Sequence, residues 1–141
     1  ILGSILYLRH YKHRTINIKQ CSSQVIKKNR TQHITENYQT ITSIFNDNGF
    51  SRETGEIYAG EGKWILNRFY TFSIQNLSDD KYRIEILSVS KSSNDNVPDS
   101  VIKKIRPEQQ RVAHITEIEE LSSGVWLFSG LAYPLFACKE I

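Results

Sequence analysis

The stretch Trp64-Ile65-Leu66-Asn67-Arg68-Phe69-Tyr70-Thr71-Phe72-Ser73-Ile74-Gln75-Asn76-Leu77-Ser78-Asp79-Asp80-Lys81-Tyr82-Arg83-Ile84-Glu85-Ile86 decides the fold. Its last five residues alternate apolar and charged side chains, the two-residue period of a strand with one buried face. Over 64–75 aromatic and β-branched residues are dense, and Leu66, Tyr70, Phe72 and Ile74 share one face. Residues 76–80, made of Asn, Leu, Ser and Asp, form a spacer between the two runs. Together they predict an antiparallel hairpin.

Working outward, Phe45-Asn46-Asp47-Asn48-Gly49-Phe50 is a second turn signal. It joins a strand ending near Phe45 to one over 52–58. Gly60-Glu61-Gly62 marks a further turn or bulge. Residues 34–45 carry two conflicting patterns. Ile34, Tyr38, Ile41 and Phe45 fall on helical spacing, whereas the many threonines and the following turn favour a strand, which is the expectation taken. Downstream, 92–99 is polar and loop-like. Pro98 opens a short helix with Val101, Ile102 and Ile105 on its apolar side, and Pro107 ends it. Strands resume over 112–118 and 125–128, with a turn at Ser122-Ser123-Gly124 between them. A final apolar strand runs through Tyr133-Pro134-Leu135-Phe136-Ala137-Cys138. The expected fold class is α+β and mostly β. About six antiparallel strands make a curled sheet or small open barrel able to enclose an apolar pocket, with one short helix late in the chain.

The charge is split. Seven Lys or Arg and no acidic residue precede Glu36, and from Glu36 onward there are eleven basic against fifteen acidic residues. The basic run Arg9-His10-Tyr11-Lys12-His13-Arg14 follows the apolar stub Ile1-Leu2-Gly3-Ser4-Ile5-Leu6-Tyr7-Leu8. Eight residues cannot span a bilayer, which takes about twenty. The stub is therefore expected to be the end of a longer membrane helix, with the basic run resting on anionic headgroups. This divides the chain into 1–14, tether and juxtamembrane segment, and 15–141, a β-rich domain of ordinary single-domain size. Nucleic acid would use the same charges, but no recognition motif accompanies them, so no direct nucleic-acid contact is expected.

Cys21 and Cys138 are the chain's two cysteines, near the two ends of the β-rich part. They read as a disulfide or as two small buried thiols, without the spacing of a metal site. A bridge would place the domain in an oxidising compartment.

No catalytic constellation appears. There is no Gly-x-Ser-x-Gly elbow, Gly60-Glu61-Gly62-Lys63 lacks the spacing of a phosphate loop, and no cofactor motif or metal-ligand set occurs. A non-enzymatic protein is expected, with an unfamiliar hydrolase as the remote alternative. Of the histidines, His33 and His114 are candidates for sensing acidity. Trp64, Tyr70, Phe72, Trp126 and Phe128 are candidates for lining a pocket or an interface, where large aromatics dominate binding.

The apolar stub through Leu8, the Cys21-Ser22-Ser23 start, Asn96-Val97-Pro98-Asp99 ahead of the helix, and the end from Ser129-Gly130 through Pro134-Leu135-Phe136-Ala137-Cys138 carry a family likeness. In this layout the chain resembles the accessory subunits of bacterial membrane-bound transcription activators, the ToxS, FidL and PsaF kind. The resemblance implies a lipocalin-like domain in the periplasm, held to the inner membrane by its N-terminal helix. Its partner would be the periplasmic sensory domain of such an activator. Stabilising that partner and passing on acidity, temperature or bile would be its function. A small barrel holding an apolar ligand is the alternative.

Overall fold

The computed structural model describes residues 15–106, 113–130 and 134–141. The expected membrane tether and basic run at 1–14, together with Pro107, Val112 and Tyr133, lie outside the described residues. Eight antiparallel strands, each paired to the next in sequence, close into a barrel. They are β1 (Ile18–Asn29), β2 (Ile34–Phe45), β3 (Asn48–Ala59), β4 (Gly62–Ser78), β5 (Lys81–Lys91), β6 (Ala113–Ser122), β7 (Val125–Gly130) and β8 (Pro134–Glu140). One short helix, α1 (Asp99–Ile105), lies between β5 and β6. The mostly β class and the late helix match the expectation. The barrel is the form expected beside a curled sheet, and the strand count is higher: eight strands close it, where about six were expected.

The additional strand at the N-terminus is β1. Its polar residues hide its period, because the inward positions include Ser23 beside Cys21 and Val25. A register slip between Ile18 and Cys21 in the β1–β2 ladder turns both of those side chains inward, although three residues separate them. That is what a β-bulge does to a strand. β2 is a strand, held on both sides by β1 and β3 over nearly its whole length, so pairing overrides the helical spacing of its apolar residues. Four of the hairpins turn in two residues, and three of them put a left-handed residue first: Asn46, Gly60 and Asp79. Such turns match the twist of the strands they join.

The interior is layered. Near the β2–β3 and β4–β5 turns, Ile18, Ile44, Phe72, Ile74 and Ile118 build one apolar cluster. Under α1, Val25, Ile34, Ile57, Leu66 and Val97 build a second, against which Val101, Ile102 and Ile105 of the helix pack. Between the clusters the inward positions are polar: Glu36, Thr40 and Thr42 on β2, Ser51 and Glu53 on β3, and Arg68 on β4. Gly55 faces this space opposite Tyr38 and Leu66. A Cβ there would overlap the Asn37 carbonyl oxygen and the Tyr38 backbone.

β1 meets β8 through two register pairs, Cys21↔Glu140 and Ser22↔Lys139. Ile141 adds one bond, donating from its N–H to the Gln20 carbonyl at 2.9 Å. At this seam Cys21 and Cys138 are joined in a disulfide, with their Cα atoms 5.4 Å apart and both residues buried. The crosslink spans 117 residues, and a loop of that size removes about 4–5 kcal/mol of unfolded-state entropy in the chain-entropy model. Two predictions follow from the backbone. Reduction, or the double change Cys21→Ala and Cys138→Ala, should lower unfolding free energy by about that amount in urea titrations. Gly55→Ala should cost about 2 kcal/mol or more by the same assay, because backbone atoms must move to admit the methyl group.

Candidate binding site inside the barrel

The side of β4 beyond the end of β5 is taken up by the segment that follows β5. Ser92 donates to the Asn67 carbonyl at 3.0 Å, and Asn96 donates to the Ile65 carbonyl at 3.1 Å. The Asn96 side chain returns a bond, accepting from the Ile65 N–H at 2.7 Å. The chain then dips into the barrel mouth at Asp95 and Val97, crosses it as α1, and ends in Arg106. This strap, 92–106, is pinned by two buried charge contacts of opposite sense.

At its first end the strap supplies the acid. Arg68 of β4 forms a forked pair with Asp95, Nε to Oδ2 at 2.9 Å and Nη2 to Oδ1 at 3.3 Å, and Nη2 also donates to the Val97 carbonyl at 3.3 Å. The backbone N–H groups of Asn67 and Val97 donate to the same carboxylate at 2.9 and 3.1 Å. Burial pushes the Asp95 carboxyl up, but the Arg68 hydrogen bond and the two N–H donors outweigh it and hold it below its usual range.

At its far end the strap supplies the base. Arg106, 2% exposed, reaches Glu36 of β2 through Nη1 and Glu53 of β3 through Nη2, the latter at 3.2 Å. Its guanidinium lies over the Tyr38 ring, 4.9 Å from the centroid. Tyr70 donates to the same Glu53 oxygen, Oε2, at 3.2 Å. Burial alone would lower the Arg106 pKa; the charges of Glu53 and Glu36 and the hydrogen bond to Glu36 hold it well above the ordinary value. Burial also raises the Tyr38 phenol. It stays neutral and serves as a flat surface for the guanidinium.

Below this network lies a cavity of about 140 Å³. Tyr38, Ser51, Glu53, Tyr70 and Arg106 line its polar side, and Phe72, Ile84, Ile86, Phe128 and Phe136 its apolar side. Lys27, His114 and Thr116 border it as well. Three hydroxyls at this level, on Thr40, Thr42 and Ser51, bond one another at 3.1–3.4 Å. The Thr116 hydroxyl, on a residue 1% exposed, has no hydrogen-bond partner among the described residues.

Of the aromatics singled out from sequence, Tyr70, Phe72 and Phe128 line this cavity, while Trp64 and Trp126 do not. Trp64 is half-buried against the cluster under α1, and Trp126 packs at the opposite end, beside a concavity bordered by Ile16, Asp80 and Glu119. The two candidate histidines are apart. His114 borders the cavity, and His33 is exposed in the β1–β2 turn with φ of 55°. The charged groups Glu36, Glu53, Arg68, Asp95 and Arg106 were not anticipated. A signal existed for two of them: Glu36 sits between Ile34 and Tyr38, and Arg68 between Leu66 and Tyr70, on the inward register. A lone charge on the apolar face of a strand calls for a buried partner.

Outside the barrel, Phe45, Phe50, Phe69 and Leu87 border an open groove of about 640 Å³. Phe45 is 71% and Leu87 57% exposed. The Phe50 and Phe69 rings lie 5.6 Å apart, and the Arg52 guanidinium sits 5.4 Å from the Phe69 ring. β5 is paired with β6 over its first part alone, up to Glu85. From Ile86 to Lys91 it has β4 on one side and no strand on the other among the described residues. Among those residues, no helix is long and apolar enough to cross a membrane.

Removing either arginine strands buried acid. Arg68→Met should leave Asp95, and Arg106→Met should leave Glu36 and Glu53, without a cation, at a cost of about 3–5 kcal/mol each in chemical denaturation. Asp95 also sets an acid limit. Because its folded pKa is depressed, its contribution is complete above the ordinary carboxyl value of 3.8 and is lost as pH falls through the folded one. Asp95→Asn should therefore lower stability at neutral pH and flatten the decline below about pH 4, read from melting temperature against pH.

No curated protein matches the chain. A protein-family model described as "FidL-like putative membrane protein" matches residues 55–138, a span from mid-β3 to Cys138 that holds Arg68, Asp95, Arg106 and the whole strap. The match covers more than half of the 141 residues, and the chain belongs to this FidL-like family of membrane proteins.

Proposed function

We propose that the chain is a regulatory accessory subunit of a membrane-bound transcription activator, pairing with that activator's sensory domain in the periplasm and stabilising it. The observation that carries this reading is the outer surface of β3–β5. There β5 from Ile86 to Lys91, with no strand on its outer side among the described residues, runs beside an apolar groove with Phe45, Phe50 and Leu87 exposed. A free strand edge offers main-chain hydrogen bonds to an incoming strand, and the apolar side chains beside it give that strand something to bury. Exposed apolar patches of this kind mark docking surfaces more often than inert surface. Family membership supports a membrane-associated setting. The Cys21–Cys138 bridge fits an oxidising compartment such as the periplasm. An apolar ligand inside the barrel is a second reading, supported by the cavity walls Phe72, Phe128 and Phe136.

Co-expression with the membrane-bound activator encoded beside its gene tests the proposal. The two chains should co-purify, and the activator's periplasmic domain should resist proteolysis longer with its companion present. A double change, Phe50→Asp with Leu87→Asp, should leave the barrel folded and reduce recovery of the complex at least tenfold. Recovery of the wild-type chain alone, with no effect on the activator, would refute the reading.

A further inference from the structure

The cavity between the two apolar clusters has features that a packing defect lacks. It is amphipathic, with hydroxyls and charges on the β2–β3 side and aromatic and aliphatic walls on β5, β7 and β8. It holds a donor and acceptor without a partner among the described residues, the Thr116 hydroxyl, on a residue that is 1% exposed. A buried hydroxyl without a partner costs free energy that a bound polar group would recover. The buried charges nearby do not cancel: Glu36 and Glu53 face one guanidinium, Arg106, at side-chain exposures of 8%, 13% and 2%. Both bonds to Glu53, from Arg106 and from Tyr70, converge on Oε2. Lys27 borders the cavity from β1, but it is half-buried and makes no ion pair among the described residues. Its register partner on β2 is Glu36, so its charge lies nearer that acid than Glu53.

Size limits the occupant. A single water takes up about 10–15 Å³ on the scale by which the cavity measures 140 Å³. The space therefore suits a molecule of about ten non-hydrogen atoms, too few for a sterol or a long acyl chain.

We propose that the barrel interior is a binding site for a compact organic cation, an ammonium carried on an aryl or short alkyl body. The ammonium lies against Glu53, on the side that the Arg106 and Tyr70 bonds to Oε2 leave open. The body rests on Phe72, Phe128 and Phe136, whose ring faces also attract a cation. A hydrogen-bonding group on the ligand meets the Thr116 hydroxyl. Nothing in this site depends on the partner surface of β3–β5, so the two proposals stand or fall separately.

Titration of the purified, oxidised protein with three probes of matched size tests the proposal: phenethylammonium, phenethyl alcohol and hydrocinnamate. Phenethylammonium should raise the melting temperature in proportion to its concentration and bind in calorimetry at least tenfold more tightly than the alcohol. Hydrocinnamate should bind more weakly than either. Glu53→Gln should remove the preference for the ammonium. Thr116→Val, which deletes a hydroxyl that bonds to nothing among the described residues, should melt at or above the wild-type temperature. Binding of tyramine, which carries a phenol at the far end of the same ammonium, should fall about fivefold in that variant. Equal or tighter binding of the alcohol or the anion, or no binding of any probe, would overturn the proposal.

Discussion

Closure of the sheet between β1 and β8 is the constraint on which the molecule depends. Every other neighbouring pair of strands has five paired positions or more, while this pair has two and the Cys21–Cys138 bridge. A sheet of this length with both edges open would expose two rows of unpaired backbone and could not exclude water from its inner face. The buried charges require that exclusion. Arg68–Asp95 and Arg106–Glu36–Glu53 are strong contacts where solvent is absent, and in open water each would contribute little. The disulfide thus acts on the interior indirectly, by keeping shut the wall that makes the interior a low-dielectric space.

The strap across the mouth uses that space. Its two anchors are complementary in sign, acid from the strap at Asp95 and base from the strap at Arg106. Reversing the direction of the segment would set like charges together, so the pair specifies one orientation. Fixing chain geometry in this way is among the better attested uses of buried charge. The apolar residues of α1 then supply burial, and the helix, seven residues long and without a side-chain cap at Pro98, relies on that packing for its existence. Arg106 also borders the cavity, so the group that fastens the strap is part of the wall a ligand would touch.

How far this was legible in the sequence depends on the inward register of each strand. Where inward residues are apolar, as at Leu66, Tyr70, Phe72 and Ile74 or at Tyr82 and Ile84, the period of two is plain and the strands were read correctly. β1 escaped because Ser23 occupies an inward place and a bulge breaks the alternation at Cys21. The end of β5 escaped because residues 86–91 have no strand on one side among the described residues and carry exposed Leu87 and Val89, so burial imposes no period there. The interior charges escaped for a different reason. A Glu on a strand reads as solvent-facing by default. Only a count of register from Ile34 or Leu66 shows that Glu36 and Arg68 point inward, and their partners lie on the strap and its end, far away in sequence. Long-range pairing of this sort is a property of the closed barrel, and local pattern does not encode it.

The central claim is that the seam at Cys21–Cys138 sustains the whole interior. Amide hydrogen exchange followed by mass spectrometry, on oxidised protein and on protein reduced under native conditions, tests it most directly. Exchange should accelerate on reduction in β1 and β8 and, with them, in the strap and the inward-facing middle of β2 and β3, where the buried charges sit. Unchanged protection of the strap and of β2 and β3 after the bridge is broken would contradict the account.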